Sequence, residues 1–157
     1  MIEEYLREWT YLAVFVLSAL PWLESSVVAV LGIGLGLDPI WTTVAALLGN
    51  LVVLLLVIFL FDRLQQWRQR RQARKGQAPV TESKKWKRAH HIFVKYGLPG
   101  LAVAGPLFIG TEIAAAIAMG LRAPRGPVTF WLTLGMVFWT VLLAVFAYYG
   151  IGFIREA

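Results

Sequence analysis

The sequence predicts an all-α integral membrane protein: an inverted repeat of two re-entrant helical hairpins, each followed by a transmembrane helix. Three observations carry this reading. The first is composition. Of 157 residues 59% are hydrophobic and 15% charged, with mean hydropathy +0.67, whereas a soluble domain is about half apolar and a quarter charged. The second is that four apolar stretches, near 9–37, 40–61, 97–121 and 127–154, fall into two kinds, because the first and third are interrupted by a proline and then a glutamate. The third is charge segregation. Residues 62–95 hold eleven Lys or Arg against Asp62 and Glu82, a net +9 in a chain whose total is +6, so everything else sums to −3. The length allows one membrane domain. So small a bundle has little interior of its own, and a homodimer is expected.

The elements follow in order. Stretch 9–37 contains "ALPWLESSVVAVLGIGLGLDP", with Pro21 and Glu24 in its middle. Proline inside a helix removes a hydrogen bond and kinks or breaks it, so half-helices are expected over 10–20 and 24–36. Stretch 40–61 is 22 residues without a charge, about the ~20 that a bilayer needs. Stretch 97–121 is broken at Pro106 and Glu112, giving half-helices over 97–105 and 111–121. Stretch 127–154 carries Trp131 near one end and Tyr148 and Tyr149 near the other, the aromatic placement of two membrane interfaces. Repeat one is thus 9–61 and repeat two 97–154. Laid over each other, "ALPWLESSVVAVLGIGLGLDP" and "AGPLFIGTEIAAAIAMGLRAP" agree at the first Ala, the Pro, a Gly-Leu pair one residue out of step, and the closing Pro; Gly49 and Gly135 fall in comparable places. Broken segments in corresponding positions of two halves point to a transporter and to its site.

Charge separates two topologies. Four plain spans would put 62–95 in the cytoplasm and Arg122 and Arg125 outside. With hairpins, only 40–61 and 127–150 cross, and thirteen of fifteen Lys/Arg face the cytoplasm while "MIEEYLRE" and Asp38 face outward. The positive-inside rule favours the hairpins. The run "RLQQWRQRRQARKG" invites a nucleic-acid reading, but apolar segments flank it on both sides, so a cytoplasmic basic loop is expected and no nucleic acid. Lys84, Lys85, Lys87 and Arg88, with Arg122 and Arg125, are placed to contact anionic lipid head groups. His90 and His91 read as a solvated interfacial pair.

Glu24 and Glu112 are the candidate site residues. A carboxylate in hydrocarbon costs on the order of 2.5–3.5 kcal/mol on insertion scales and defaults to a functional hypothesis. One alternative is that Glu24, Ser25, Ser26, Thr111 and Glu112 only cap the half-helices. The functional reading is a carboxylate pair between the hairpins, matched to a proton or cation. Pro21, Pro106 and Gly110 belong to the breaks, and Asn50 either lines the cavity or bonds across helices. The glycines at 32, 34 and 36, and Gly120 after four nearby alanines, make faces for close packing. No cysteine is present, and no phosphate loop, metalloprotease helix or Ser/His/Asp set occurs, so neither an enzyme, a metal site nor a cofactor is expected. "MIEEYLREW" lacks the basic region of a secretory signal, and retention of residue 1 is expected.

Together "PWLESSVVAVLGIGLGLDP", "LLGN", the basic loop, "KYGLPGLAVAGPLFIGTE" and "AAIAMGLRAP" resemble the bacterial small multidrug export proteins, related to the DedA-like, or VTT-domain, superfamily. The resemblance covers about residues 15–145. The family's Pro-x-x-Glu-Leu-Arg-Gly is met by Pro21 and Glu24, with Ser25 and Ser26 replacing Leu-Arg. Its Pro-x-Pro-Gly-Thr-Gly is met by Pro106, with Gly110 and Thr111 in a shifted register and Glu112 added. The resemblance implies re-entrant elements in inverted repeat, a bacterial plasma membrane, and transport of an amphipathic substrate such as a drug or a lipid-phosphate carrier. The reading from another class is a non-transporting scaffold acting through the basic loop.

Overall fold

The computed structural model describes residues 2–20, 23–74 and 93–156, and no strand occurs among them. Helix α1 is Ile2–Ser18, α2 Ser25–Gly34 and α3 Pro39–Arg74. A π-helical turn, Phe93–Gly97, runs into α4, Leu98–Phe108; α5 is Thr111–Gly120 and α6 Arg125–Glu156. Two helices are long and apolar enough to cross a membrane, over Pro39–Arg71 and Arg125–Phe153. Only 28% and 22% of their most apolar windows are buried. They are therefore not the core helices of a soluble domain, and they fit a membrane location. Helices α2 and α5 have ten residues each, about 15 Å at 1.5 Å per residue, half the ~30 Å of hydrocarbon.

Two boundaries differ from the sequence reading. Helix α3 does not stop at the end of its apolar run but continues to Arg74. Residues 62–74, "DRLQQWRQRRQAR", contain no Gly or Pro, and Arg, Gln and Leu are good helix formers. Gln66 Nε2 donates to Asp62 Oδ2 at 3.0 Å one turn back, and Arg71 lies 4.9 Å from the Trp67 ring centroid. Pro106 likewise does not break its stretch. It sits inside α4, and the break comes at Ile109 and Gly110. A late proline removes only one donor from a helix about to end, whereas Gly110 at φ 84° and ψ 145° occupies a region open to glycine almost alone.

The chain divides into two compact units, Met1–Val53 with Thr133–Ala157, and Leu54–Leu132. In the first, Val14, Val28, Ala29, Ile33, Ala46 and Ala144 form the core, with Leu23, Leu37 and Ile151 packed on it. Small residues set the spacing. A Cβ on Gly49 would strike the Phe15 carbonyl oxygen and Ser18 Oγ, so α3 lies flush on the end of α1. A Cβ on Gly32 would sit 2.5 Å from Thr42 Cγ2. Helices α1 and α2 lie against each other. In the second unit, Leu54, Leu98, Ala114, Met119, Val128 and Leu132 are buried. Helices α4 and α5 fold together, close enough that a Cβ on Gly105 would stand 3.0 Å from Ala114 Cβ.

Local structure recurs at a spacing of 86 residues. Helix α2 ends with Gly36 at φ 87° and α5 with Arg122 at φ 60°. Leu37 N–H then donates to Gly32 O at 3.1 Å, and Ala123 N–H to Ala118 O at 3.0 Å; both ends are the left-handed closure of a Schellman motif. The buried positions follow the same spacing. Ser25, Ser26, Val28, Ala29, Gly32 and Ile33 of α2 answer to Thr111, Glu112, Ala114, Ala115, Ala118 and Met119 of α5. Thr42, Ala46, Asn50, Leu54 and Ile58 of α3 answer to Val128, Leu132, Met136, Thr140 and Ala144 of α6. This register pairs Glu24 with Gly110 and Glu112 with Ser26. The two glutamates are thus not equivalent positions: Glu24 lies three residues after Pro21 and Glu112 six after Pro106.

Candidate functional site

In the first unit the site residues gather where α2 begins. Glu24 is the N-cap residue (φ −59°, ψ 140°), and its carboxylate makes no capping hydrogen bond. Its carbonyl accepts from Val27 and Val28 N–H at 3.0 and 3.2 Å. The next side chains are fully engaged with the interior. Ser25 Oγ shares a 2.7 Å hydrogen bond with Thr140 Oγ1 of α6, and both residues are completely buried. Ser26 is buried too. Asn50, also buried, donates from Nδ2 to Met136 Sδ at 3.2 Å, a weak acceptor. Ser18 Oγ closes the end of α1 by donating to Phe15 O at 2.9 Å. Ser18, Ser25, Asn50 and Thr140 thus place a polar layer near the middle of the apolar parts of α3 and α6.

In the second unit the corresponding break is Ile109–Gly110. Gly110 is the N-cap and has no side chain to cap with. Thr111 is fully buried and Glu112 is 5% exposed. Glu112 lies in the first turn of α5, where free backbone N–H groups and the positive dipole end favour a carboxylate. The other end of α5 is tied to α3, since Gln65 Nε2 donates to Met119 O. Close by in sequence, Arg125 Nη1 stands 3.2 Å from Asp62 Oδ2. Arg125 remains 71% exposed, and Arg122 is exposed as well.

The sequence reading is therefore met in part. Glu24 makes no side-chain capping bond to α2, and Gly110 at the start of α5 has no side chain to make one. Ser25 and Asn50 bond across to α6, the second of the two roles considered for Asn50. Glu24 belongs to one unit and Glu112 to the other. Pro21, Lys84, Lys85, Lys87 and Arg88, and the His90–His91 pair, lie outside the described residues. Thr140, Met136, Asp62 and Gln65 were not picked out from sequence. Thr140 had a signal, since it is a polar residue deep in an apolar run like Asn50. Asp62 and Gln65 were hidden in what read as a solvated loop.

No curated protein matches the chain, and no solved structure does. A family model does match, over residues 24–142, about three quarters of the chain, and its description is "Putative small multi-drug export protein". That span runs from Glu24 past Thr140 and takes in α2, α3, the break at Gly110 and the buried Glu112, and the chain belongs to this small multi-drug export protein family.

Proposed function

We propose that the protein is a small secondary transporter, proton-linked through Glu24 and Glu112, that moves an amphipathic substrate such as a drug or a lipid-phosphate carrier across a bacterial plasma membrane. The observation that carries the proposal is Glu112, a carboxylate 5% exposed at the start of a ten-residue apolar helix. An intramembrane carboxylate is retained where it works, and the family's name points to export.

On this reading the broken stretches are re-entrant hairpins in inverted repeat, and two contacts support it. The end of α1 rests on Gly49 and the start of α2 bonds Thr140, so the first stretch turns back near mid-span. Arg125 pairs with Asp62, and four plain spans would put these residues on opposite sides of ~30 Å of hydrocarbon. Asn50 and Met136, equivalent positions that touch, lie where a two-fold axis relating the repeats would pass. The basic segment faces the cytoplasm, contacts anionic lipid there, and the transporter works as a homodimer.

Purified protein in proteoliposomes under an imposed pH gradient, with ethidium as probe, tests the reading. Glu112→Gln should reduce gradient-driven uptake at least tenfold while melting like the wild type, and Glu24→Gln should do the same. Uptake unchanged in both variants would sink the proposal, and uptake indifferent to the gradient would remove the proton linkage. A scaffold acting through its basic segment would tolerate both substitutions.

A further inference from the structure

Two adjoining cavities open in the first unit, where α3 begins and α6 ends. One, of about 630 Å³, is walled by Val44 and Leu47 of α3 and Val141 and Val145 of α6. The other, of about 590 Å³, is walled by Ile33, Leu37 and Ile151, with Phe153 at its side. Both have the size of a pocket for a drug-sized molecule. They share Asp38, Pro39, Tyr148 and Tyr149. Neither lining includes Glu24 or Glu112.

Asp38 is the only charged residue in either lining. Ile40 and Trp41 N–H both donate to its Oδ1, at 3.0 and 3.1 Å, so Oδ2 takes neither bond. Among the described residues no Lys or Arg pairs with Asp38, whereas Asp62, the other α3 carboxylate, is paired with Arg125. The Tyr148 and Tyr149 rings stand edge to face at 5.4 Å and are exposed. Aromatic faces attract cations, most strongly where water is excluded.

We propose that these cavities bind an amphipathic cation. A quaternary ammonium or phosphonium head lies between Asp38 and the tyrosine rings, and an apolar body lies along the valine and leucine walls. Charge complementarity selects the sign. Helix capping alone does not explain why the cap opens onto two apolar cavities beside an aromatic pair. The proposal goes beyond transport, because binding at this site needs neither a gradient nor Glu112.

The test is equilibrium binding of radiolabelled tetraphenylphosphonium to the full chain in nanodiscs of zwitterionic lipid, with empty discs subtracted. Tetraphenylborate, of the same shape and opposite charge, is the control. Asp38→Asn removes the charge and keeps the cap, since Asn and Asp cap about equally well, and a thermal melt confirms the fold. Tetraphenylphosphonium should bind Asp38→Asn at least tenfold more weakly, and a Tyr148→Leu/Tyr149→Leu variant several-fold more weakly. Tetraphenylborate should bind Asp38→Asn no more weakly than the wild type. Equal cation binding by wild type and Asp38→Asn would overturn the proposal, as would no saturable binding above empty discs. Glu112→Gln should bind the cation like the wild type even where its transport is lost. Loss of binding in Glu112→Gln with Asp38→Asn unaffected would move the cation to the transport carboxylates and overturn this site.

Discussion

At the residue scale, three left-handed backbone positions show how a repeated motif tolerates unequal sequences. Gly36 and Arg122 hold equivalent places at φ 87° and 60°, and an arginine serves where a glycine is the usual choice. A left-handed conformation costs an ordinary residue about 1–2 kcal/mol, and the two hydrogen bonds of the closure hold it there. Gly110 differs, because φ 84° with ψ 145° lies in a region that side chains essentially do not enter. Gly36→Asn should therefore cost about 1 kcal/mol or less, since Asn also closes helices this way. Gly110→Ala should cost more, roughly 1–3 kcal/mol. Thermal unfolding of both variants in one detergent checks the order. A Gly110→Ala protein as stable as Gly36→Asn would mean that the break at Gly110 is not held as described.

At the scale of elements, what the sequence could and could not show has a physical reason. The two long helices were legible because an unbroken apolar run has one reading at that length. The breaks were legible as breaks, but Pro106 drew attention to itself while Gly110 set the turn, since proline announces its constraint and a glycine's φ does not show until the chain is folded. Helix α3 past Asp62 was read as loop because charge masked good helix propensity. The contact between Asp62 and Arg125, 63 residues apart, has no local signal at all. It leads to a labelling prediction. Ala123 is buried, so single cysteines belong instead at exposed positions, Gly126→Cys and Gln69→Cys, and at Leu35, which is 85% exposed. In intact cells an impermeant thiol reagent should label Leu35→Cys alone, and should reach the other two only after the membrane is opened. Labelling of Gly126→Cys from outside would favour four plain spans.

At the scale of the whole molecule, orientation is a matter of where the cations stand. Thirteen of fifteen Lys and Arg lie in 62–95 or at Arg122 and Arg125, while the first eight residues hold three glutamates and one arginine. Juxtamembrane Lys and Arg set membrane orientation and acidic residues contribute little. The proposed inverted repeat would run its two halves in opposite senses, so such a fold would give little preference for one orientation and the charges would have to supply it. Replacing Arg63, Arg68, Arg70, Arg71 and Arg74 with Gln, together with Glu3, Glu4 and Glu8 with Lys, removes five cations from one side and adds three to the other. The Gly126→Cys label in this background should become partly reachable from outside, while the same eight changes made in two separate sets should shift it less. A label that stays fully protected would mean that Lys84, Lys85, Lys87 and Arg88 suffice to orient the chain. Replacing those four with Gln as well should then release it, because no comparable cluster of cations remains to hold the second half of the chain inside.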